Sequence, residues 1–460
     1  MKKVLLTGTA LLAFAAAGFA QTNTTTTNQV GNSQTASQTQ SGNYLKSTVS
    51  QDKQGGSNTG SYALTNQTST GSAGNEAIIQ QNLNSNSNRA GVTQSGGTGN
   101  RGIVQQSTNS GGNGNKILDG ASAADVTAQG GNFADIMQKG SNNTSTYIYQ
   151  NDNSSSNSAK INQYGSSSRQ TSIDQSINSK RNTATIDQGT SANPVISNQA
   201  TISQQGNSYD NKAAVTQTTT GNISFVKQND GSYDNETTIK QSGSSSGSES
   251  AYVYQSSSSY FNKATVTQSG FGDFATVRQE NLSVNNEATV SQRRTAGGVG
   301  NTATISQVSD AVFNKAFITQ DGYTNNATIS QVKSEGNTAA ITQSVIRPEG
   351  GGNKAEIQQG NTAMGYSENN KATITQDFSK NTARLQQFGS ENESTMTQIV
   401  GDNNVIKGIN GDYALQQGNN NRLMVTQNSG DGTSAYVPNT ASVSQIGNGN
   451  MSTIMQTGHN

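Results

Sequence analysis

The chain has 460 residues, a formal net charge of zero, no cysteine and one histidine, and only 29% of its residues are hydrophobic. This composition excludes the thick core of one or two ordinary globular domains, while the absence of net charge does not favour a disordered chain. It also excludes a basic surface for nucleic acid and a framework of disulfides. The remaining possibility is a thin core that is lined by polar as well as aliphatic side chains.

Residues 1–20 have the pattern of a secretory signal peptide. Lys2 and Lys3 form a positive start, the residues up to Phe14 are largely apolar, and Ala20 is a small residue suited to cleavage. The apolar run is shorter than the roughly 20 residues that a membrane-spanning helix needs. We therefore expect an exported chain without a membrane span.

Residues 21–74 form a segment rich in Thr, Ser, Asn and Gln. Fragments such as Asn32-x-Gln34-x-Ala36-x-Gln38 resemble the repeat found further along, but they lack its Ile or Val. Polar sequence without an aliphatic period is typical of disorder, with a weak first turn as the alternative. We expect this segment to be mostly disordered.

Residues 75–460 repeat a seven-residue phrase, Asn-x-Ala-x-(Ile/Val)-x-Gln, for example Asn262-x-Ala264-x-Val266-x-Gln268. The named positions are spaced by two, so their side chains lie on one face of a β-strand. Each phrase therefore predicts one short strand, and two strands with their connectors make a turn of about 25 residues. The repeats predict about 15 such two-strand turns.

The connectors between the strands are short and rich in Gly, Ser, Asn and Asp. The shortest can only form tight reversals, where glycine supplies the positive φ that other residues avoid. We assign this role to Gly270, Gly272 and Gly322. The phrase blurs over residues 116–129 and 405–417, where we expect looser turns.

Strands of this kind could pair as antiparallel hairpins or stack in parallel on the next turn. Asn and Gln recur at the same two strand ends, so parallel stacking places like amides about 4.8 Å apart. The residue after Asn in alternate strands changes sign, as in Lys212, Glu236, Lys263 and Glu287. We therefore predict an all-β fold, a parallel β-solenoid of stacked β-arches with two facing, in-register sheets of cross-β type.

The inward positions are of two chemical kinds. The amides, expected to form hydrogen-bonded ladders, are Asn211, Gln217, Gln241, Asn262, Gln268, Gln279, Asn286, Gln292, Asn301, Gln307, Asn314, Gln320, Asn325 and Gln331. The aliphatic residues, expected to interdigitate between the sheets, are Val215, Ile239, Val266, Val277, Val290, Ile305, Ile318, Ile329, Ile341, Ile357 and Ile374.

Neither end of the predicted array carries the Pro, amphipathic helix or charge cluster that usually blocks the edge of a solenoid. Open, compatible ends add head to tail, and such contacts do not close. We therefore expect a homopolymeric fibre. The residues assigned to its assembly ends are Asn75, Ile79, Gln81, Asn450, Ile454 and Gln456.

The chain offers no constellation for catalysis or metal binding. His459 is the single histidine, there is no cysteine, and the acids are scattered over outward positions and reversals. We predict that the protein is not an enzyme and uses no cofactor and no metal.

The spacing Gln-x-Gly-x-Gly-Asn-x-Ala-x-x-x-Gln is similar to the curlin repeat of curli, the bacterial extracellular amyloid of biofilm matrices. The matching residues, with Asp in place of Asn, are Gln268, Gly270, Gly272, Asp273, Ala275 and Gln279. The resemblance spans about residues 75–456. It implies the structural subunit of a curli-like fibre that serves the biofilm matrix and adhesion at the surface of a Gram-negative bacterium.

The same resemblance implies partners: an outer-membrane secretion pore and a nucleator subunit, with the polar segment after residue 20 as the secretion address. A monomeric secreted β-solenoid adhesin that binds a surface or a polysaccharide is the alternative function.

Overall fold

The structure is a computed structural model. It describes residues 23–52, 60–69, 74–82, 87–106, 131–140, 143, 146–166, 169–243, 248–293, 299–345, 351–360, 366–409, 413–429 and 438–457. Over these ranges it contains strands and connectors, and no helix that could span a membrane. The predicted signal peptide, His459 and the blurred residues 116–129 lie outside the described residues.

The strands follow the period-two pattern of the sequence, with alternate side chains buried between two sheets, as in Lys263–Ser269. Their bounds are β1 Thr24–Gln29, β2 Thr35–Ser41, β3 Lys46–Gln51, β4 Tyr62–Thr68, β5 Glu76–Gln80, β6 Arg89–Ser95, β7 Arg101–Gln105, β8 Phe133–Lys139, β9 Thr146–Tyr149, β10 Ser158–Ser166, β11 Thr171–Asp174, β12 Thr183–Gln188, β13 Val195–Ile196, β14 Gln199–Ser203, β15 Lys212–Gln217, β16 Ile223–Lys227, β17 Glu236–Gln241, β18 Ser250–Tyr254, β19 Lys263–Ser269, β20 Phe274–Glu280, β21 Glu287–Arg293, β22 Thr302–Val308, β23 Lys315–Asp321, β24 Asn326–Val332, β25 Ser334–Glu335, β26 Thr338–Ser344, β27 Lys354–Gln359, β28 Ser367–Glu368, β29 Lys371–Gln376, β30 Thr382–Ser390, β31 Glu393–Ile399, β32 Val405–Lys407, β33 Ala414–Gln417, β34 Arg422–Asn428, β35 Thr440–Ser442, β36 Ser444–Ile446 and β37 Met451–Thr457.

Successive long strands alternate between two sheets, and each strand pairs in parallel with the strand one turn away. The first sheet runs in the order β1, β3, β5, β7, β9, β11, β14, β16, β18, β20, β22, β24, β27, β30, then β32 with β33, then β35 with β36. The second runs β2, β4, β6, β8, β10, β12, β15, β17, β19, β21, β23, β26, β29, β31, β34 and β37. We call one turn, a strand of the first sheet and the following strand of the second, a rung.

The register between rungs places like residues over like. Between β19 and β21, Ala264 pairs with Ala288 and Gln268 with Gln292. The consecutive strands β19 and β20 lie in different sheets, so the hairpin alternative is excluded. The predicted parallel β-solenoid of stacked arches, with two facing in-register sheets, is confirmed.

The outward column of alternating charge is also in register. Lys212 pairs with Glu236, Glu236 with Lys263, and Lys263 with Glu287. Further along the same column the Nζ of Lys371 lies 3.9 Å from Glu393. Neighbouring rungs therefore place opposite charges side by side on the outer face of the second sheet.

The core is one thin, continuous layer between the two sheets. Small residues such as Ala288 and Ala303 alternate with branched residues such as Val290 and Ile305, and all four are fully buried. A small and a β-branched residue on each strand fit the ~10 Å between facing sheets. A chain with few hydrophobic residues fills its core because only two residues per strand need to be apolar.

The structure differs from the sequence-based expectation at residues 21–74. Strands β1 to β4 occupy Thr24–Thr68 and continue both sheets in register, so β5 lies inside the stack. All four strands keep the Gln of the phrase, and β3 also has the buried Val49, but β1, β2 and β4 carry Thr27, Gln38 and Thr65 where later strands have Ile or Val. The backbone ladder and the amides continue where the aliphatic period is incomplete.

Over residues 405–417 the repeat is looser, as expected. The first-sheet strand is interrupted there and forms the two short strands β32 and β33, both of which pair with β30. The next turn repeats the interruption in β35 and β36. The interrupted strands of these two rungs therefore lie over each other, β35 on β32 and β36 on β33.

Candidate functional site: amide ladders and the two end rungs

The Gln at the end of each long strand forms a hydrogen-bonded ladder within its sheet. In the second sheet the ladder is unbroken from Gln40 to Gln456, with Nε2–Oε1 distances of 2.7–3.0 Å. In the first sheet it runs from Gln29 to Gln445 at 2.7–2.9 Å. Every described rung thus joins its neighbours through two Gln amides, one in each sheet, and these amides are buried in every rung between the two end rungs.

Both ladders have a direction. In each bond the Nε2 of the earlier rung donates to the Oε1 of the later rung, as from Gln279 to Gln307 at 2.9 Å. The Nε2 of Gln279 also donates to the carbonyl oxygens of Asn286 and Lys263, at 3.1 and 3.2 Å. A flipped amide would turn its oxygen toward these two carbonyl oxygens, so the backbone fixes the orientation of the Gln279 amide.

The Asn residues act differently from the expected stack of amide on amide. The Oδ1 of Asn235 accepts the backbone N–H of Asn262, at 2.9 Å. Its Nδ2 donates to the carbonyl and hydroxyl oxygens of Ser259, at 2.9 and 3.2 Å. Asn235 therefore ties its own strand to the backbone and a connector serine of the next rung, whereas a direct bond between Asn amides joins Asn286 Nδ2 to Asn262 Oδ1 at 3.1 Å. These mixed contacts replace the expected continuous Asn-over-Asn ladder.

A column of buried serines in the connectors was not predicted from the sequence. Ser208, Ser232, Ser259 and Ser283 are fully buried and hold the Asn of the preceding rung. The signal was present, because a Ser stands three positions before each Asn of these strands. The residue just before that Asn has positive φ, including Phe261 at 54°. The connectors are thus as regular as the strands.

The structure places the predicted inward residues as follows. All fourteen predicted amides and all eleven predicted aliphatic residues lie between the sheets, each at most 1% exposed. Of the reversal glycines, Gly272 and Gly322 have φ of 71° and 101°. Gly270 does not have a positive φ; its N–H instead donates to Glu249 Oε1 at 2.7 Å.

The residues predicted for the assembly ends divide into two groups. Asn450, Ile454 and Gln456 belong to the β37 rung, which pairs only with β34 among the described residues. Asn75, Ile79 and Gln81 are at most 1% exposed inside the stack, because β1 and β3 precede β5. The first described rung is instead formed by β1 and β2.

The two end rungs differ in the chemistry of their inward side chains. The last rung offers Val443 and Ile454, beside a groove of about 380 Å³ that Ile446 and Met451 also line. The corresponding positions of the first rung hold polar residues, Thr27 in β1 and Gln38 in β2. One end face is therefore apolar and the other is polar.

One buried acid interrupts the Asn column of the first sheet. Glu249 is fully buried, takes the place of Asn beside Asp273 of the next rung, and leaves its Oε2 without a partner. Burial raises the pKa of Glu249 to about 8; the Gly270 N–H opposes this and the charge of Asp273 adds to it. The described residues contain no group of three or more His, Cys, Asp or Glu that could hold a metal ion.

A family comparison agrees with this geometry. The family model of the Curlin associated repeat matches residues 314–344 and 368–399. The first match covers β23 to β26, and the second covers β29 to β31. The resemblance to the curlin-repeat family is thus confirmed in these two segments. No curated protein matches the chain.

Proposed function

We propose that this chain, which carries curlin associated repeats on a parallel β-solenoid, is the structural subunit of an extracellular curli-like amyloid fibre. Copies add head to tail through the two end rungs, and the fibre serves the biofilm matrix and adhesion. The protein acts by assembly and has no catalytic role.

The unbroken direction of the Gln ladders carries this proposal. The last described rung has amide donors at Gln445 and Gln456, and no later described Gln accepts from them. The first rung has amide acceptors at Gln29 and Gln40, which no earlier described Gln fills. Because one end presents donors and the other presents acceptors, copies can add head to tail in one direction. Such addition continues because head-to-tail contacts along one axis do not form a closed ring.

The cellular setting follows from the family resemblance. The proposed subunit is exported by its signal peptide, passes an outer-membrane pore, and assembles at the surface of a Gram-negative bacterium on a nucleator subunit. The polar segment of residues 21–74 serves as the secretion address. Because that segment also contains β1 to β4, the address becomes part of the solenoid once the chain folds.

The monomeric adhesin is kept as a second candidate because of an aromatic cluster on the outer face of the first sheet. Phe225 and Tyr254 have ring centroids 5.7 Å apart, and Tyr252 and Phe274 have theirs 5.6 Å apart. Aromatic faces on a flat sheet suit stacking on sugar rings or on a surface. This cluster is compatible with a fibre as well as with a monomer.

Electron microscopy of the purified, aged chain tests the proposal. We expect unbranched fibres, with a meridional reflection near 4.8 Å in fibre diffraction. The variant Ile318→Asp serves as the negative control, because it introduces a charge between the sheets. A wild-type chain that stays folded and monomeric at high concentration would favour the adhesin.

A further inference from the structure

The two end rungs can be matched position by position, because one register holds throughout the stack. If the next turn of the first sheet were β1 of a second copy, Gln29 would follow Gln445 and Thr27 would follow Val443. In the second sheet, Gln40 would follow Gln456 and Gln38 would follow Ile454. Both sheets reach this match together, with no shift of register.

The hydrogen-bonding groups of the two faces are complementary in this arrangement and in no other. Gln456 Nε2 meets the open Oε1 of Gln40, and Gln445 Nε2 meets that of Gln29, as at every rung inside the chain. Joining two last rungs would bring donor to donor, and joining two first rungs would bring acceptor to acceptor. The occupant of the last rung is therefore the first rung of a second copy.

The interior of that contact differs from the interior of the chain. Inside the chain, facing aliphatic residues such as Ile305 and Ile318 fill the space between the sheets. At the contact, Val443 and Ile454 would meet Thr27 and Gln38. The Gln38 amide already donates to Thr26 O at 3.0 Å within its own rung. The second rung is also partly polar, with Ser47 and Thr65 buried and hydrogen-bonded to each other.

We propose that copies join through a defined junction, β1 on β35 and β36 and β2 on β37, and that its polar interior makes it the weakest rung of the fibre. This inference rests on the proposed fibre function and names its interface. Such a junction keeps free subunits soluble until a template orders the first rung, because burying Thr27 and Gln38 against aliphatic side chains gains little.

Cysteine cross-linking tests the position of the junction, since the natural chain has no cysteine. Ser37 of β2 and Thr453 of β37 are outward residues that would lie about 4.8 Å apart across the junction, within disulfide range. Fibres grown from a mixture of Ser37→Cys and Thr453→Cys chains are expected to yield disulfide-linked dimers on oxidation. Neither variant alone should form dimers.

The matched control replaces Ser37→Cys with Thr26→Cys, which is outward on β1 in the other sheet. This mixture is expected to give no dimers. Fibres without the Ser37–Thr453 dimer, or with dimers from one variant alone, overturn the junction while leaving the fibre function standing. An absence of any fibre overturns both.

The weakness of the junction is tested by making its interior aliphatic. The double variant Thr27→Val, Gln38→Val is expected to lower the concentration of soluble chain left at equilibrium with fibres by roughly tenfold or more. The control Thr26→Val, Thr39→Val places the same side chains on outward positions and should leave that concentration unchanged. Equal concentrations for the wild type and the inward variant overturn the claim of a weak junction.

Discussion

The middle of the stack, β19 to β24, and its beginning, β1 to β4, use the same architecture with different interiors. Both have parallel in-register pairing and continuous Gln ladders. In the middle the inward residues include Val266 and Ile305, whereas Thr27 and Gln38 stand at the beginning. Register and cohesion therefore come from different residues.

The Gln amides set the register because a slip of one residue would turn them to the outer face and break the hydrogen-bonded ladder. The aliphatic residues supply cohesion, since burying one Val or Ile contributes about 1.5–3 kcal/mol. A rung with amides alone is ordered in the right place but adds little stability. The first rung, with Thr27 and Gln38 at the aliphatic positions, is of this kind.

The largest expected effect comes from placing a charge in the middle of the stack. Ile318→Asp removes a buried side chain and adds an unpaired carboxylate, at a cost of about 4 kcal/mol or more. Hydrogen exchange should speed up in β21, β23 and β26. Phe317→Asp, on the outer face of the same strand, is the control and should change exchange little.

The same comparison can be made at the beginning of the stack. In the unassembled chain, Thr27→Asp is expected to raise hydrogen exchange only in β1 and β3, because Thr27 is exposed there and belongs to the first rung. If Thr27→Asp and Ile318→Asp raised hydrogen exchange in the unassembled chain to the same extent, the distinction between the two regions would be wrong.

The next effect is a pH dependence that originates at Glu249. Its pKa is raised from 4.5 to about 8 in the folded chain, so the folded state holds a proton that the unfolded state releases. The stabilisation is complete below pH 4.5 and is lost at about 1.4 kcal/mol per pH unit as the pH rises toward 8. Denaturant unfolding between pH 5 and 8 measures it.

Two variants isolate this carboxyl. Glu249→Gln is expected to flatten the profile over pH 5–8, because the amide stays neutral at every pH. Glu236→Gln, on the exposed column of the second sheet, should keep the slope of the wild type. A slope that survives Glu249→Gln would show that another group is responsible.

Removing one amide from a ladder should cost less than burying a charge. Gln307→Leu interrupts the ladder on both sides, because Gln279 Nε2 loses its Gln acceptor and Gln331 Oε1 loses its Gln donor, for about 1–3 kcal/mol. Gln40→Leu, in the first rung, should cost roughly half as much because it has a Gln neighbour on one side only. Thermal unfolding of the two variants would compare them, and equal losses would contradict the ladder account.

The smallest effect is expected on the outer charge column. Lys263→Glu places a third acid between Glu236 and Glu287 and should destabilise the stack by about 0.2–1 kcal/mol at low salt. Because exposed charges are screened, the loss should vanish near 1 M salt. A loss that is independent of salt would argue against a Coulombic cause.

Much of the fold could be predicted from the sequence because each strand repeats one phrase and the register follows from like residues stacking. The strands β1, β2 and β4 could not be, since the prediction required Ile or Val, and Thr27, Gln38 and Thr65 supply neither. Val49 of β3 is the single aliphatic residue at this position among these four strands. These strands are ordered because they pair with neighbouring rungs. That pairing depends on the whole stack, and the sequence of one strand does not reveal it.

The roles of single polar residues were also only partly predictable. The Gln column was found from spacing, but the bond from Asn235 to Ser259 joins two rungs and is set by the connector's shape. Gly270 was expected to have positive φ, yet its contribution is a backbone N–H that donates to Glu249 Oε1 of the preceding turn. Contacts of this kind depend on which connectors stack, and a single phrase does not encode them.

In-register stacking of alternate strands is tested most directly by two cysteine pairs in the otherwise cysteine-free chain. Thr265 and Thr289 are outward neighbours on β19 and β21, whereas Thr276 lies on β20, which follows β19 in sequence but belongs to the other sheet. We predict that Thr265→Cys, Thr289→Cys forms an intramolecular disulfide on mild oxidation and that Thr265→Cys, Thr276→Cys does not. A disulfide in the second pair and none in the first would contradict the stacked solenoid.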